Sequence, residues 1–352
     1  MRFLILSVDY EIFGNGTGDV RQHIVAPTAR LARLCRKYAV PLTVFFEAEE
    51  YLAFVRHAQA LRALLGYDPA QLMREQAHSL VAEGHDVQLH LHPEWYGATF
   101  RDGGWRLRPE AQTVDSLFGS QPEVDRYLAE RKTVLEDLLA HPQSRPRVRA
   151  YRAGAFCAQP GTRLLAALAK NGVTIDSSVV RGLHRTNEHA RFDYRHCPAG
   201  KAMWRVRTDV AVEDAGGPLW EVPIGSVPRR RFALLSPARL RAKFSRNVPR
   251  AAQAQLLNEQ GVHGNPFAVA RLLWQRVPVK LDFHNVSPRK LMRWVHSLPA
   301  NAGGAKDLVV LIWHTKEHIV DRPFEQLLGS IARDPALRVV TFDWLATQLV
   351  SP

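Results

Sequence analysis

The chain has 352 residues, of which 46% are hydrophobic, and an excess of basic side chains leaves a formal net charge of +13. This length allows one large core or two smaller ones, and the composition excludes a largely disordered chain. No stretch approaches the roughly 20 apolar residues that a membrane-spanning helix needs. Residues 1–11 read as a first strand rather than a secretion signal. We therefore expect a cytoplasmic protein, either free or peripheral at the inner face of the membrane.

Much of the basic excess comes from arginine, which is concentrated in a proline-containing stretch at residues 228–250. One interpretation is a solvated basic face. The other is attraction to an anion: a phosphate-bearing or lipid-linked saccharide, or an anionic membrane surface. The chain has no recognisable helix-turn-helix, zinc-finger or RNA-binding signature, so nucleic acid is the least expected partner.

Apolar strand-like runs alternate with helical patterns along the chain, which is typical of α/β architecture. Strands are predicted at residues 3–8, 42–46, 86–92, 148–152, 173–175, 220–222, 277–283, 308–313 and 339–341. Helices are predicted at residues 27–38, 51–82 with a break near 66–69, 123–139, 161–171, 288–297 and 324–331, followed by a final helix. We expect a single (β/α) barrel of about seven to eight strands over residues 1–352, distorted or incomplete, with the stretch 228–250 as an insertion.

Polar side chains lie at or just past the ends of several predicted strands, where (β/α) barrels carry their chemistry. They are Asp9, His90, His92, Arg152, Asp282, His284 and His314. Because side chains alternate along a strand, Asp9 and Glu11 share one face, and His90 and His92 share another. Two carboxylates and two imidazoles facing one interior predict a divalent-metal site with a spare carboxylate beside it. Metal-assisted hydrolysis is the chemistry that this set favours.

Each of these groups also has a purely structural interpretation. The acidic pair could cap a strand end or form ion pairs, and the two histidines could bond to the backbone. Arg152 could form a simple buried ion pair with Asp9, which is the contact that a functional role also requires. Trp95 lies on a loop after the third strand, where it could stack on a sugar or cap the barrel core.

The order of these motifs, from Asp9 to His314, resembles that of the polysaccharide deacetylase family, whose NodB homology domain includes carbohydrate esterase family 4. The string SVDYE resembles the first motif in a spaced form, which implies that Asp9 is the catalytic base and Glu11 a metal ligand. The string EGHDVQLHLHPEW resembles the second motif and implies that His90 and His92 are ligands. The spacing there is compressed, so Glu94 remains an alternative to His92.

The later motifs are also present in recognisable form. YRAGAF resembles the third motif, which implies that Arg152 steadies the base and that a backbone N–H near Gly154 could hold an oxyanion. Asp282 or Asp176 could serve as the fourth-motif aspartate, and Asp282 and His284 could also contact substrate. LIWHTKEH resembles the fifth motif and implies that His314 is the catalytic acid.

The resemblance implies a metal-dependent amide hydrolase with one divalent ion, for which zinc is expected and cobalt, iron or manganese are alternatives. We expect de-N-acetylation of an acylamino sugar, either a sugar nucleotide or a lipid-linked saccharide, during synthesis of a surface polysaccharide such as lipopolysaccharide. One alternative is hydrolysis of a non-sugar amide on the same fold. Another is a catalytically inactive protein that binds glycans or partners.

Overall fold

The computed structural model describes residues 1–140, 146–187, 190–231, 274–283, 286–299 and 306–349. Two sequence predictions lie outside these ranges. One is His284 as a substrate contact, and the other is residues 232–250 of the arginine-rich insertion. The described residues contain no helix that is both long and apolar enough to cross a bilayer.

Strands and helices alternate along most of the described chain. The strands are β1 (Arg2–Tyr10), β2 (Thr43–Glu47), β3 (Asp86–Leu91), β4 (Thr99–Arg101), β5 (Gly104–Arg106), β6 (Ala150–Ala153), β7 (Ile175–Asp176), β8 (His184–Thr186), β9 (Arg191–Asp193), β10 (Trp204–Val206), β11 (Leu219–Glu221), β12 (Ser226–Arg230), β13 (Arg276–Lys280), β14 (Leu308–His314) and β15 (Leu337–Val340). The helices are α1 (Ala26–Lys37), α2 (Ala48–Arg56), α3 (Ala58–Leu65), α4 (Pro69–Ala82), α5 (Val114–Leu117), α6 (Gln121–Leu139), α7 (Thr162–Lys170), α8 (Pro288–Ser297), α9 (Arg322–Ala332) and α10 (Phe342–Leu349).

One large sheet organises the fold, in the order β10-β11-β7-β6-β3-β2-β1-β14, with β15 also paired to β1. All of its pairings are parallel except the one between β10 and β11. Within the described residues, β14 is linked to the segments that follow β11 and β13 by isolated bridges, Ile224 with Val310 and Asp282 with Ile312. The predicted fold class, an incomplete (β/α) barrel in an α/β protein, is therefore confirmed.

Local sequence signals explain where several elements begin and end. Helix α4 has Pro69 in its first turn, and the Asp68 side chain accepts a hydrogen bond from Gln71 N, a common way to satisfy the free N–H groups of a helix start. Helix α3 ends at Gly66, whose φ of 73° suits glycine. The break predicted near residues 66–69 lies between α3 and α4, and a second break, which was not predicted, separates α2 from α3.

The strand predicted at residues 277–283 has a different role from the one expected. The part that forms a strand, β13, pairs antiparallel with β12 in a separate two-stranded sheet, where Pro228 lies opposite Pro278. Because proline has no N–H to donate, this pair cannot be extended into a central ladder. After β13 the chain reaches the main sheet, where Asp282 forms a bridge with Ile312 of β14.

Two buried acids face each other across the pair β7–β11. Asp176 and Glu221 are in register and fully buried. Asp176 accepts hydrogen bonds from the backbone N–H and the hydroxyl of Ser178, and Glu221 accepts one from Val179 N. Burial raises the pKa of Asp176 to about 6, and burial and the neighbouring Asp176 raise that of Glu221 well above its usual range. Folding therefore favours the protonated form of both carboxyl groups.

We expect this pair to make stability fall as pH rises. The pKa of Asp176 is 3.8 in the unfolded chain and about 6 in the folded chain, so the folded state binds the proton more tightly. The free energy of unfolding therefore falls as the pH rises from about 4 to about 6. Asp176→Asn should flatten this slope in urea-unfolding midpoints measured across that range. Asp193→Asn is the control. The ion pair with Arg195 lowers the pKa of Asp193, so this substitution should not flatten the slope. A parallel slope in Asp176→Asn would contradict the raised pKa of Asp176.

Candidate metal centre and active site

The carboxyl edge of the main sheet brings together the strand-end residues that the sequence singled out. Asp9 on β1 is in register with His314 on β14, and His90 on β3 is in register with Arg152 on β6. Because parallel strands end at the same edge, side chains from four strands meet there. Glu11 and His92 follow directly after β1 and β3.

Glu11, His90 and His92 form a buried cluster that could hold one metal ion. The Nε2 atoms of His90 and His92 lie 3.2 and 2.6 Å from the same oxygen, Glu11 Oε2. Burial would raise the pKa of Glu11, but the charge of Lys316 and the two imidazoles hold it well below its ordinary value. Two imidazole nitrogens and an ionised carboxylate converging on one point are a donor set that divalent transition metals accept.

Each histidine of the cluster is oriented through its other ring nitrogen. His90 Nδ1 lies 2.8 Å from the carbonyl oxygen of Arg152, and His92 Nδ1 lies 2.7 Å from Glu94 Oε1. Such outer contacts fix which nitrogen faces a metal. Between the two alternatives for the second ligand, the geometry therefore favours His92, with Glu94 as the group that orients it.

The charges around His92 favour a cation at the cluster. The carboxylates of Glu11 and Glu94 outweigh the burial of His92 and raise its pKa well above the usual value. The same two carboxylates would stabilise a metal cation at this position. Metal binding requires that imidazole nitrogen to be deprotonated, so an ion would take the place of the proton on Nε2.

Asp9 lies beside this cluster and is held by Arg152. Arg152 Nη1 donates to Asp9 Oδ1 at 2.6 Å, and its other N–H groups reach Ser177 O and Ser7 Oγ at 3.0 Å. Burial acts to raise the pKa of Asp9, but the charges of Arg152, His90 and His314 lower it overall. Asp9 is therefore ionised at neutral pH, with Oδ1 fixed by the guanidinium.

His314 faces the second oxygen of the same carboxylate. Its Nε2 lies 3.5 Å from Asp9 Oδ2, and its Nδ1 lies 3.8 Å from Glu317 Oε2. Burial lowers the pKa of His314, while the charges of Glu317 and Asp9 act in the opposite direction. The ring is thus placed to exchange a proton with Asp9 and with a group bound between them.

Sequence reasoning missed Lys316, which contacts the cluster directly. Its Nζ lies 2.6 Å from Glu11 Oε1 and 3.0 Å from the carbonyl oxygen of Ile12. The ammonium therefore neutralises part of the charge of Glu11 and leaves Oε2 facing the histidines. The string HTKEH contained this lysine beside the expected acid, but its distance from Glu11 in the chain gave no reason to pair them.

Two buried glutamates at the start of α2 were also missed. Glu47 accepts a hydrogen bond from His92 N at 2.7 Å, and Glu50 accepts bonds from Ile12 N at 3.2 Å. Burial and neighbouring acids raise the pKa of Glu50 to about 8 and that of Glu47 well above its usual range. They hold the backbone beside both ligand strands. The position of Glu47 directly after a predicted strand was the signal in the sequence that could have identified it as a site residue.

The loop after β6 carries a packing constraint at Gly154. A Cβ on this residue would lie 2.6 to 2.8 Å from the ring atoms of His92, closer than such contacts can be. The next two residues, Ala155 and Phe156, have φ of 49° and 64°, which is costly for residues other than glycine. This strained turn places the Phe156 ring 6.4 Å from that of His314.

The remaining candidates have other surroundings. Trp95 is 1% exposed and packs against Phe54 and Trp105. The geometry therefore favours a role in covering the core and not in stacking on a sugar. Asp176 bonds to Ser178 and pairs with Glu221 on the neighbouring strand. Asp282 is buried and bridges to Ile312, two residues before His314, so its role as the fourth-motif aspartate stays a prediction.

No protein-family model matches the chain, and no curated protein matches it with significance. Solved structures do match over nearly its full length. They include a protein assigned to the polysaccharide deacetylases from Mycobacterium smegmatis, with 13% identity and a TM-score of 0.49 over 99% of this chain and 92% of that one.

Two other matches have different descriptions. A 4-α-glucanotransferase from Thermococcus litoralis has 10% identity and a TM-score of 0.48 over 99% of this chain and 40% of that one. The allantoinase PuuE has 12% identity and a TM-score of 0.45 over 98% and 89%. These likenesses concern the arrangement of the chain, and because one fold hosts many activities, the function must be argued from the site.

We expect Gly154→Ala to weaken metal binding by at least about tenfold, the lower range for disturbing a group that orients a ligand. The added methyl group would displace the His92 ring from Glu11. Zinc affinity measured by competition with a chromophoric chelator checks this. Gly119→Ala is the matched control, because a Cβ there meets nothing within 4 Å. Equal affinity in the two variants would contradict the packing argument.

Proposed function

We propose that the chain is a metal-dependent amide hydrolase that removes the acetyl group from an acylamino sugar. The observation that carries this proposal is the grouping of Asp9 and His314 around one point beside Glu11, His90 and His92. A base, an acid and a metal-ligand set at the same strand ends are the parts that metal-assisted hydrolysis needs.

In this proposal Glu11, His90 and His92 hold one divalent ion, and zinc is the first choice because it accepts two imidazoles and a carboxylate. When bound, such an ion polarises the acyl carbonyl and lowers the pKa of water beside it. The orienting contacts of His90 and His92 keep both Nε2 atoms directed at that position.

Asp9 is the base of the proposed reaction. Arg152 binds its Oδ1, so Oδ2 is the oxygen that accepts a proton from the attacking water. The water oxygen then forms a bond to the acyl carbon. Because Arg152 also keeps the pKa of Asp9 low by its charge, although burial opposes it, Asp9 enters the reaction ionised.

His314 is the acid. Its Nε2 lies 3.5 Å from Asp9 Oδ2, close enough for the proton taken from water to be passed on with a small movement. His314 then donates this proton to the leaving nitrogen as the carbon–nitrogen bond breaks. The products are acetate and the free amino group of the sugar, and Asp9 and His314 return to their starting states.

The nature of the substrate is the finer part of the proposal. The net charge of +13 supports an anionic, phosphate-bearing or lipid-linked saccharide in surface polysaccharide synthesis, or an anionic membrane surface nearby. The cytoplasmic location and the single domain stay predictions. A non-sugar amide would use the same acid and base, and a substrate panel distinguishes the two cases.

We expect the purified protein to contain about one transition-metal ion per chain, because three buried donors converge on one position. His90→Ala should lose that ion, whereas His184→Ala, a control at an exposed histidine of β8, should keep it. Elemental analysis of protein prepared without chelators makes the comparison. Wild-type protein that holds no metal even after incubation with zinc or cobalt would contradict the proposed metal dependence.

We expect Asp9→Asn to retain the metal but to lower the rate of acetate release by about 10²- to 10⁴-fold, the range for loss of a general base. The side-chain amide introduced by this substitution fills the same space as the carboxylate but cannot accept a proton from water. Acetate release from N-acetylated sugars is the measurement. Asp125→Asn, which changes a carboxylate paired with Lys170 far from the site, serves as the control. Metal-loaded wild-type protein with no turnover on any acylated amine would favour the inactive binding protein.

A further inference from the structure

Lys280, the last residue of β13, is a charged side chain near the site that the proposed reaction does not use. It is half-buried, and its Nζ lies 4.3 Å from the centroid of the Phe156 ring. Phe156 in turn packs beside His314. Lys280, Phe156 and His314 therefore form one group of contacts at the edge of the proposed active site.

The surroundings of Lys280 are unusual for a lysine. Within the described residues no carboxylate lies within ion-pair distance of its Nζ, although the charges of Asp282, Glu317 and Asp9 act on it from further away. Burial lowers the pKa of Lys280, and the nearby charge of Arg185 lowers it further. A cation drawn partly out of water without an ionic partner is unfavourable, and the contact with Phe156 offsets only part of that cost.

The backbone indicates that this arrangement is built rather than incidental. Phe156 reaches its position through two consecutive residues with positive φ, Ala155 and Phe156 itself. Strain of this kind persists only where the surrounding structure enforces it, and it is concentrated at ligand sites. The turn that carries Gly154 against His92 thus also places the aromatic ring beside both His314 and Lys280.

We propose that Lys280 binds an anionic group of the substrate, a phosphate or a carboxylate, on the sugar side of the scissile amide. The side follows from the shared neighbour: Phe156 contacts Lys280 and lies beside His314. Because His314 would protonate the leaving nitrogen, this arrangement places the cation on the side of the sugar and not of the acetyl group. This inference rests on the proposed function and narrows its substrate class to acylamino sugars that carry a negative charge.

The test compares ligands that differ in charge. N-acetylglucosamine 1-phosphate, N-acetylmuramic acid and neutral N-acetylglucosamine are titrated by calorimetry into zinc-loaded protein carrying Asp9→Asn, in which turnover is suppressed. The same titrations are made after adding Lys280→Met, Lys280→Gln or Lys280→Arg. Lys290→Met is the matched control, because Lys290 also lies over an aromatic ring, that of Trp294 at 5.1 Å, on helix α8.

We expect at least one anionic sugar to bind about tenfold or more tightly than the neutral one, since bonds to charged groups contribute strongly. Lys280→Met and Lys280→Gln should abolish this preference, Lys280→Arg should keep part of it, and Lys290→Met should leave it unchanged. The phosphate and carboxylate ligands show which anion is recognised. Thermal melts identify a variant that fails to fold. If Lys280→Met or Lys280→Gln fails to fold, the other of these two neutral substitutions decides the test.

Two results would overturn the assignment of Lys280: no preference for either anionic sugar, or an undiminished preference in Lys280→Met or Lys280→Gln. The proposed function is tested separately, by acetate release from the same three sugars with protein that has Asp9. Lysine-dependent binding without acetate release would reject only the hydrolase, whereas acetate release without the lysine-dependent preference would reject only the anion site.

Discussion

The curl of the main sheet is the constraint on which the rest of the site depends, and the buried contact between Asp9 and Arg152 makes it visible. Strands β1 and β6 are separated in the sheet by β2 and β3, which in a flat sheet would put them about 14 Å apart at the usual strand spacing. The 2.6 Å contact between their side chains therefore requires the sheet to curl. Arg152 also lies over the Phe45 ring of β2, at 3.9 Å, so it fills the interior that the curl creates.

A second constraint is the balance of charge around Glu11. Four buried acids lie at or beside the ligand strands, and they are not equivalent. Asp9 and Glu11 are kept ionised by Arg152 and Lys316 despite their burial, whereas burial and neighbouring acids raise the pKa of Glu47 and Glu50. Because buried charges are tolerated only when they are paired and hydrogen-bonded, this division leaves one compact anionic position facing the two histidines.

The fold alone does not decide the activity, because one fold can carry many activities. The argument for function therefore depends on the side chains of the strand ends and the neighbouring loop, including Lys316 and Lys280. The proposal of an anionic acylamino sugar follows from those side chains and from the chemistry of an amide bond.

The sequence by itself determined the α/β class, most elements and the strand-end residues. Alternating apolar runs and side-chain periodicity are local properties, and they placed Asp9, Glu11, His90 and His92 correctly because parallel strands end at one edge. The helices α2, α3 and α4 and the separate β12–β13 pair were not anticipated in detail, since helix breaks and strand partners depend on packing between distant segments.

Only the tertiary structure decided which residues meet. Lys316 is 305 residues from Glu11 in the chain, so no local pattern could pair them. The choice between His92 and Glu94 depended on which atom faces Glu11, and the burial of Trp95 depended on Phe54 and Trp105. Spacing along a chain determines the face on which a side chain lies, but its partners are determined by the curvature that brings the strand ends together.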